Sequence, residues 1–271
     1  MSPQLPPTAT VSTAEIESLA QAEQLLVAMD FDGTMAPFTS DPMASRPEPG
    51  ALEALTELAG LAGTTVMIVS GRNLKQLREV TGLHKGVDTP IRLVGSHGAE
   101  PAEEELKPLT DKQHKLYAQL ESAAEAAATL HAGLWVERKP LSVGLHSRKV
   151  SNKDVADQAN ASFLSTAHTL DDVKVTQGKS VVEVAVDSTS KGDYVNAFRT
   201  QHNIPTVVFA GDDTTDESVM AVLDVARGDV SIKVGAGKSK AARRLANTVA
   251  VRDFLQALAT ARKNAAARKN A

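Results

Sequence analysis

Apolar residues in this chain fall into short unbroken runs, and the segments between the runs carry helical spacing. Leu25–Met29 is five apolar residues in succession, the mark of a strand buried on both faces. Residues 65–69, 91–94, 206–210 and 230–234 read the same way. Between them, 50–62 carries Leu52, Leu55, Leu58 and Leu61 at helical spacing, and 73–80, 191–202, 216–225 and a last stretch from 253 also read as helices. A Pro-rich loop, 36–49, follows the first strand. This β-α-β-α-β order predicts a parallel, doubly wound α/β sheet.

The texture changes in the middle of the chain. A long Ala/Glu-rich helix is expected over 109–131, then strands at 134–137 and 141–146 parted by Lys139-Pro140. A helix over 152–168, capped by Ser151 or Asn152, and strands at 173–176 and 181–184 complete the stretch. An α-β-β-α-β-β run predicts a small α+β layer inserted into the α/β domain, about eighty residues long. The expected boundaries are 1–22 for a tail and lead-in helix, 23–107 and 187–265 for the two parts of the core, and 108–186 for the insert. The Ala/Lys/Arg/Asn stretch after Ala259 reads as frayed and solvated, with 266–271 as the C-terminal tail.

Composition narrows the function classes. With 42% apolar and 23% charged residues, the chain is ordinary for a globular protein, and its net charge of −4 gives no basic face for nucleic acid. Having no cysteine, it has no disulfide, catalytic thiol or zinc-thiolate site. No run has the length of a membrane helix and the first residues lack a signal-peptide pattern, so the cytoplasm is the expected location.

Candidate chemistry collects at strand ends, where open α/β sheets bind ligands. The first strand runs directly into Asp30-Phe31-Asp32-Gly33-Thr34. Two carboxylates one residue apart repel, and a hard divalent cation is the simplest reason to keep them together; Asp can also serve as a covalent nucleophile. An Asp-Gly pair is equally a common turn. Ser70, at the end of the second strand in Val69-Ser70-Gly71-Arg72, suits either a phosphate or the capping of the next helix. The fourth predicted strand of the core runs into Gly211-Asp212-Asp213-Thr214-Thr215-Asp216-Glu217, whose four acids favour a cation. Lys191 opens the preceding helix, where it could neutralise phosphate or carboxylate, or simply face solvent.

An Asp pair, a Ser, a Lys and an acidic cluster in this order resemble the four motifs of the haloacid-dehalogenase superfamily. The insert lies where that superfamily carries its larger caps. Gly95-Ser96-His97-Gly98-Ala99-Glu100, Glu137-x-Lys139, His146-x-Arg148, Gly178-Lys179 and Glu183 further resemble the trehalose-6-phosphate phosphatases. The chain departs from that family's usual residues at Phe31 (Tyr is common), Met35 (Leu) and Ala185-Val186 (Arg-Pro).

The resemblance implies a haloacid-dehalogenase-like, Rossmann-type core with a cap. It further implies an Mg²⁺-dependent phosphatase releasing trehalose and phosphate from trehalose 6-phosphate through an aspartyl phosphate. Asp30 would be the nucleophile and Asp32 the proton carrier, with Ser70 and Lys191 binding the transferring oxygens. Asp30, the Asp32 carbonyl and Asp212 would hold the metal, with Asp213 or Asp216 in support. Gly33, Gly71, Arg72, Asn73 and His97 in the core, and Glu137, Lys139, Arg148, Lys179 and Glu183 in the cap, would bind substrate. Trp135 and His146 are read as structural. A monomer is expected, with a trehalose-6-phosphate synthase as candidate partner. The alternatives are a phosphatase for sucrose 6-phosphate or mannosyl-3-phosphoglycerate, a phosphomutase, and a non-catalytic sugar-phosphate sensor.

Overall fold

The computed structural model describes residues 9–84, 89–104, 108–178 and 180–269. Residues 1–8 and 270–271 of the expected tails, residues 105–107 at the expected core–cap boundary, and Lys179 lie outside the described residues. In chain order the elements are α1 (Thr13–Gln21), β1 (Leu25–Met29), α2 (Ala51–Ala59), β2 (Thr64–Val69), α3 (Leu74–Thr81), β3 (Ile91–Gly95) and β4 (Glu100–Pro101). There follow α4 (Asp111–Leu130), β5 (Trp135–Lys139), β6 (Ser142–His146), α5 (Lys153–Ala167), β7 (Lys174–Gly178) and β8 (Val181–Ala185). The last are α6 (Lys191–Gln201), β9 (Thr206–Gly211), α7 (Glu217–Met220), β10 (Val230–Val234), β11 (Arg243–Leu245) and α8 (Thr248–Lys269). The chain divides into two compact units, one formed by residues 1–105 with 189–271 and the other by 106–188.

In the first unit the strand order is β11-β10-β9-β1-β2-β3-β4, parallel throughout except for β4. The unbroken apolar run of β1 is explained by its place between β2 and β9, buried on both faces. Leu25, Val27 and Met29 join one core with α2 and α8, while Leu26 and Ala28 join another beneath α6. The connections change direction between β1 and β9, which makes the carboxyl ends of these strands a topological switch point. Asp30 N–H donates to the Ala210 carbonyl at 2.9 Å, so the two strand ends are tied where the acids leave them.

Three expectations for this unit need correction. The helix expected over 216–225 is only Glu217–Met220, preceded by a 3-10 turn at Thr214–Asp216. Two short edge strands, β4 and β11, join the sheet. The last helix begins at Thr248 and runs through the stretch expected to fray, to Lys269. Arg262 anchors it. This buried side chain donates to the carbonyls of Leu19, Ala20, Ala22, Ala62 and Gly63 and to the Thr64 hydroxyl, and so caps the end of α1.

The second unit is an antiparallel sheet, β5-β6-β8-β7, with α4 and α5 on one face. Leu116, Leu120, Ala124 and Ala127 of α4 and Phe163 of α5 pack on Val143, Leu145, Val182 and Val184. Asn152, and not Ser151, caps α5. Because side chains alternate across a strand, the opposite face carries Trp135, Glu137, Lys139, Ser142, His146 and Glu183. Ala185-Val186, where the family often has Arg-Pro, is tied inside this unit. Val186 N–H donates to the Leu141 carbonyl, and its own carbonyl accepts from Gln113.

Candidate active site

Met29 is in register with Ile68 of β2 and with Ala210 of β9, so Asp30, Ser70 and Asp212 leave three adjacent strands at one edge. Asp30, Asp212 and Asp216 each offer a carboxylate oxygen within 4.8 Å of the others. Lys191, at the first position of α6, reaches into this group: its Nζ lies 2.6 Å from Asp30 Oδ1 and 2.7 Å from Asp216 Oδ1. Thr34 donates its hydroxyl to the other Asp30 oxygen at 3.0 Å. Asp30, Asp216, Thr34 and Lys191 are all buried.

Glycines permit this crowding. Gly33 has φ 78°, and a Cβ there would collide with the Asp212 carboxylate. At Gly211 a Cβ would collide with Asp216, which folds back over the end of β9.

Burial and mutual repulsion govern the electrostatics. Burial, then the charges of Asp216 and Asp212, push Asp30 well above the ordinary carboxylate range, while Lys191 pulls against them. Burial, followed by Asp216 and Asp213, lifts Asp212 to about 7 against Lys233 and Lys191. For Lys191 burial disfavours the ammonium, but Asp216 and Asp30 outweigh it and hold the proton more tightly than usual. Three oxygen-donor groups around an excess of negative charge fit a hard divalent cation.

The other expected core residues divide. Asp32 turns away from the triad into a bidentate pair with Arg72, Nε–Oδ2 and Nη2–Oδ1 both 2.7 Å, and Arg72 also donates to the Pro42 carbonyl. Ser70 is buried; it does not cap α3, a role taken by Asn73, whose side-chain oxygen accepts from Gln76 N–H. Asp213 likewise caps the turn at Thr214–Asp216 and contributes charge to Asp212 without joining the triad. His97 N–H donates to the Ser70 carbonyl, and the ring packs so closely on Gly71 that a Cβ there would lie 2.6 Å from it. Ser96 and His97 both hold positive φ, 46° and 57°, a strained pair of the kind that collects at functional loops.

In the second unit Lys139 Nζ and the Ser142 hydroxyl donate to Glu183 at 2.7 and 2.6 Å, and Glu137 Oε2 lies 2.9 Å from His146 Nε2. Arg148 is exposed after β6 and is not part of this cluster. Sequence reasoning passed over Lys233, buried in β10, which donates to the carbonyls of Asp212 and Val234. Its signal was present: a lone lysine in Val230-Ser231-Ile232-Lys233-Val234, in the strand beside the acidic one.

The family model for trehalose-phosphatase matches residues 28–265. The chain belongs to the trehalose-phosphatase family. It is 30% identical over 244 residues to the trehalose-6-phosphate phosphatase of Escherichia coli (strain K12), covering 86% of this chain and 85% of that protein. It is also 30% identical over 247 residues to a bifunctional trehalose-6-phosphate synthase/phosphatase of Thermoproteus tenax, 88% of this chain but only 32% of that longer protein. The fold is shared with the C-terminal domain of a C. albicans trehalose-6-phosphate phosphatase, with a TM-score of 0.79 at 21% identity over 96% of this chain and 99% of that one. It is shared too with the C-terminal domain of a Candida albicans trehalose synthase regulatory protein, with a TM-score of 0.71 at 13% identity over 92% and 98%. The doubly wound core with its inserted α+β unit is the haloacid-dehalogenase-like architecture expected from the sequence. Among the described residues no helix is long and apolar enough to cross a membrane.

Proposed function

We propose that this protein hydrolyses trehalose 6-phosphate to trehalose and phosphate. Fold alone does not distinguish an enzyme from a regulatory domain, since proteins named as each share it. The observation that carries the reading is the Asp30 carboxylate, buried at the end of β1, in contact with Lys191 and within reach of a cation shared with Asp212 and Asp216. A protein that only bound sugar phosphate would have no use for a nucleophile there.

Asp30 attacks phosphorus, and the bond from phosphorus to the sugar oxygen breaks as that oxygen takes a proton from Asp32. Water then attacks the phosphorylated Asp30, gives its proton to Asp32, and frees phosphate. Asp32 can act so only after its pair with Arg72 opens, and the incoming phosphate is the natural competitor for that guanidinium. Lys191 and Ser70 hold the transferring oxygens, where the largest share of the rate effect arises. Asp30, the Asp32 carbonyl and Asp212 would hold Mg²⁺, with Asp216 supporting; when bound, the ion supplies positive charge that offsets the phosphate oxygens. Glu137, Lys139, Arg148, Lys179 and Glu183 recognise the sugar hydroxyls. A trehalose-6-phosphate synthase is the partner that would supply the substrate.

The test is phosphate release from trehalose 6-phosphate, sucrose 6-phosphate and mannosyl-3-phosphoglycerate, with and without Mg²⁺. Fastest release from trehalose 6-phosphate, abolished by excess EDTA, is expected. Preference for another substrate, or full activity in EDTA, would overturn the corresponding part of the reading.

A further inference from the structure

The polar face of the second unit's sheet is organised in cross-strand rungs. Glu137, Gly144 and Glu183 stand side by side in one rung, Trp135 and His146 in the rung on one side, and Lys139 and Ser142 in the rung on the other. The two carboxylates of the middle rung are drawn in opposite directions along the strands. Glu137 is drawn to His146, and Glu183 to Lys139 and Ser142. Between them Gly144 contributes no side chain, and it lies buried beneath Glu137 and His146.

Among the described residues no close contact demands a glycine at that position. Gly144 does not have a positive φ, and a Cβ built on it would meet only ordinary contacts, the nearest being His146 Nε2 at 3.5 Å. Glycine inside a strand weakens it and often marks a place where a ligand or another group approaches closely. His146 is itself held from behind. Its ring stacks on Trp135 with centroids 4.4 Å apart and planes 11° from parallel, and Lys149 Nζ stands 5.4 Å over the indole. The Glu137–His146 pair is about a quarter exposed, and pairs so open add little to stability. Such an arrangement serves to fix a carboxylate, because three side chains are ordered to hold one oxygen in place.

We propose that His146, clamped by Trp135, is a positioning residue for sugar recognition. It sets Glu137 on one side of Gly144, with Glu183 fixed on the other, so that two acceptors and the Lys139 ammonium meet the hydroxyls of a hexose ring. The inference rests on the sugar-phosphate reading above and extends it to residues that the sequence left as structural.

The experiment compares kcat and KM for His146→Ala, Trp135→Ala, Trp135→Phe and Gly144→Val on two substrates. One is whichever sugar phosphate the wild type hydrolyses fastest, and the other is p-nitrophenyl phosphate, which has no sugar hydroxyls. His146→Ala, Trp135→Ala and Gly144→Val should each raise KM for the sugar phosphate by about tenfold, the equivalent of one modest hydrogen bond to a charged group. Their kcat/KM on the aryl phosphate should change less than about twofold, on the scale of the same interaction energies. Trp135→Phe keeps an aromatic face under His146 and should restore most of the sugar affinity. In a Glu137→Gln background, His146→Ala should add little, since its effect is exerted through that carboxylate. An unmoved sugar KM, equal losses on both substrates, or full additivity with Glu137→Gln would overturn the proposal. Should His146→Ala not fold, Trp135→Ala and Gly144→Val read out the same geometry. The wild type's substrate preference decides the reading on which this rests, and the variants decide the role of His146, so either can fail alone.

Discussion

The two polar clusters of this protein partner their acids in opposite ways. In the core three acids, Asp30, Asp212 and Asp216, crowd together around one ammonium, Lys191, with Lys233 turned to backbone carbonyls at the margin. On the face of the inserted unit each acid has its own partner, Glu183 with Lys139 and Glu137 with His146. An unbalanced, buried cluster raises its own proton affinities and has a use for added positive charge, which a bound cation would supply. A cluster in which each carboxylate already has its own partner presents fixed donors and acceptors, which suits neutral hydroxyls. On the proposed function, chemistry and recognition therefore rest on different electrostatics, and each can be broken separately.

The largest effect should come from the core. Asp30→Asn removes the proposed nucleophile and cation ligand together and should abolish turnover on every substrate. Asp32→Asn keeps the nucleophile and loses the proton carrier, a loss of about 10²–10⁴-fold on a sugar phosphate. A sugar alkoxide needs that proton to leave, whereas nitrophenolate does not. Rapid mixing with p-nitrophenyl phosphate should therefore show a burst from Asp32→Asn and none from Asp30→Asn. A burst from Asp30→Asn would refute the assignment of roles.

A smaller loss, of a different kind, is expected in the inserted unit. Glu183→Ala removes the carboxylate to which Lys139 and Ser142 donate. With Lys139 only 8% and Glu183 16% exposed in their side chains, this should cost about 3 kcal/mol, the lower end of the range for breaking a buried pair. Activity on the sugar phosphate should fall steeply, while the aryl phosphate is still hydrolysed by whatever fraction is folded. Glu183→Gln retains an acceptor for Ser142 and should cost less. Urea melts of the two variants check the ordering, and equal destabilisation would show that the lost charge sets the whole cost and the acceptor for Ser142 adds nothing to it.

How much of this was legible beforehand follows from where each signal lies in the chain. β1 could be read to the residue because a strand buried on both faces is apolar throughout, and its ending in Asp30 marked the site. The pairing of Lys191 with Asp30 spans 161 positions, and no local pattern shows that α6 begins beside the end of β1. The partner of Asp32 was hidden for the same reason: Arg72 lies 40 positions away and comes near only because β2 follows β1 in the sheet. The helix over 216–225 was overestimated because its periodicity was read without the demand on Asp216, fully buried and bound to Lys191 and to Asp213 N–H. The Ala/Lys/Arg composition after residue 259 resembled a solvated tail, yet Arg262 makes it an anchor. Here one long polar side chain, satisfied by six acceptors, outweighs the character of the segment around it.

The mildest test uses protons instead of mutations. A carboxyl raised from its ordinary 3.8 to about 7 in the cation-free fold, as Asp212 is, binds its proton more tightly folded than unfolded. The stability it contributes is thus fully present below its ordinary value and is lost as pH rises through about 7. A cation must displace that proton, so its apparent affinity should climb with pH by at most about tenfold per unit for one proton released, and level off above 7. The rise in melting temperature on adding Mg²⁺ should accordingly grow between about pH 5 and 8 and then stay flat. Asp212→Asn should flatten most of that slope. Glu183→Gln should leave it intact, because the three clustered acids, Asp30, Asp212 and Asp216, all lie outside the inserted unit. A shift independent of pH in the wild type, or a slope lost in Glu183→Gln, would erase the electrostatic contrast between the two clusters.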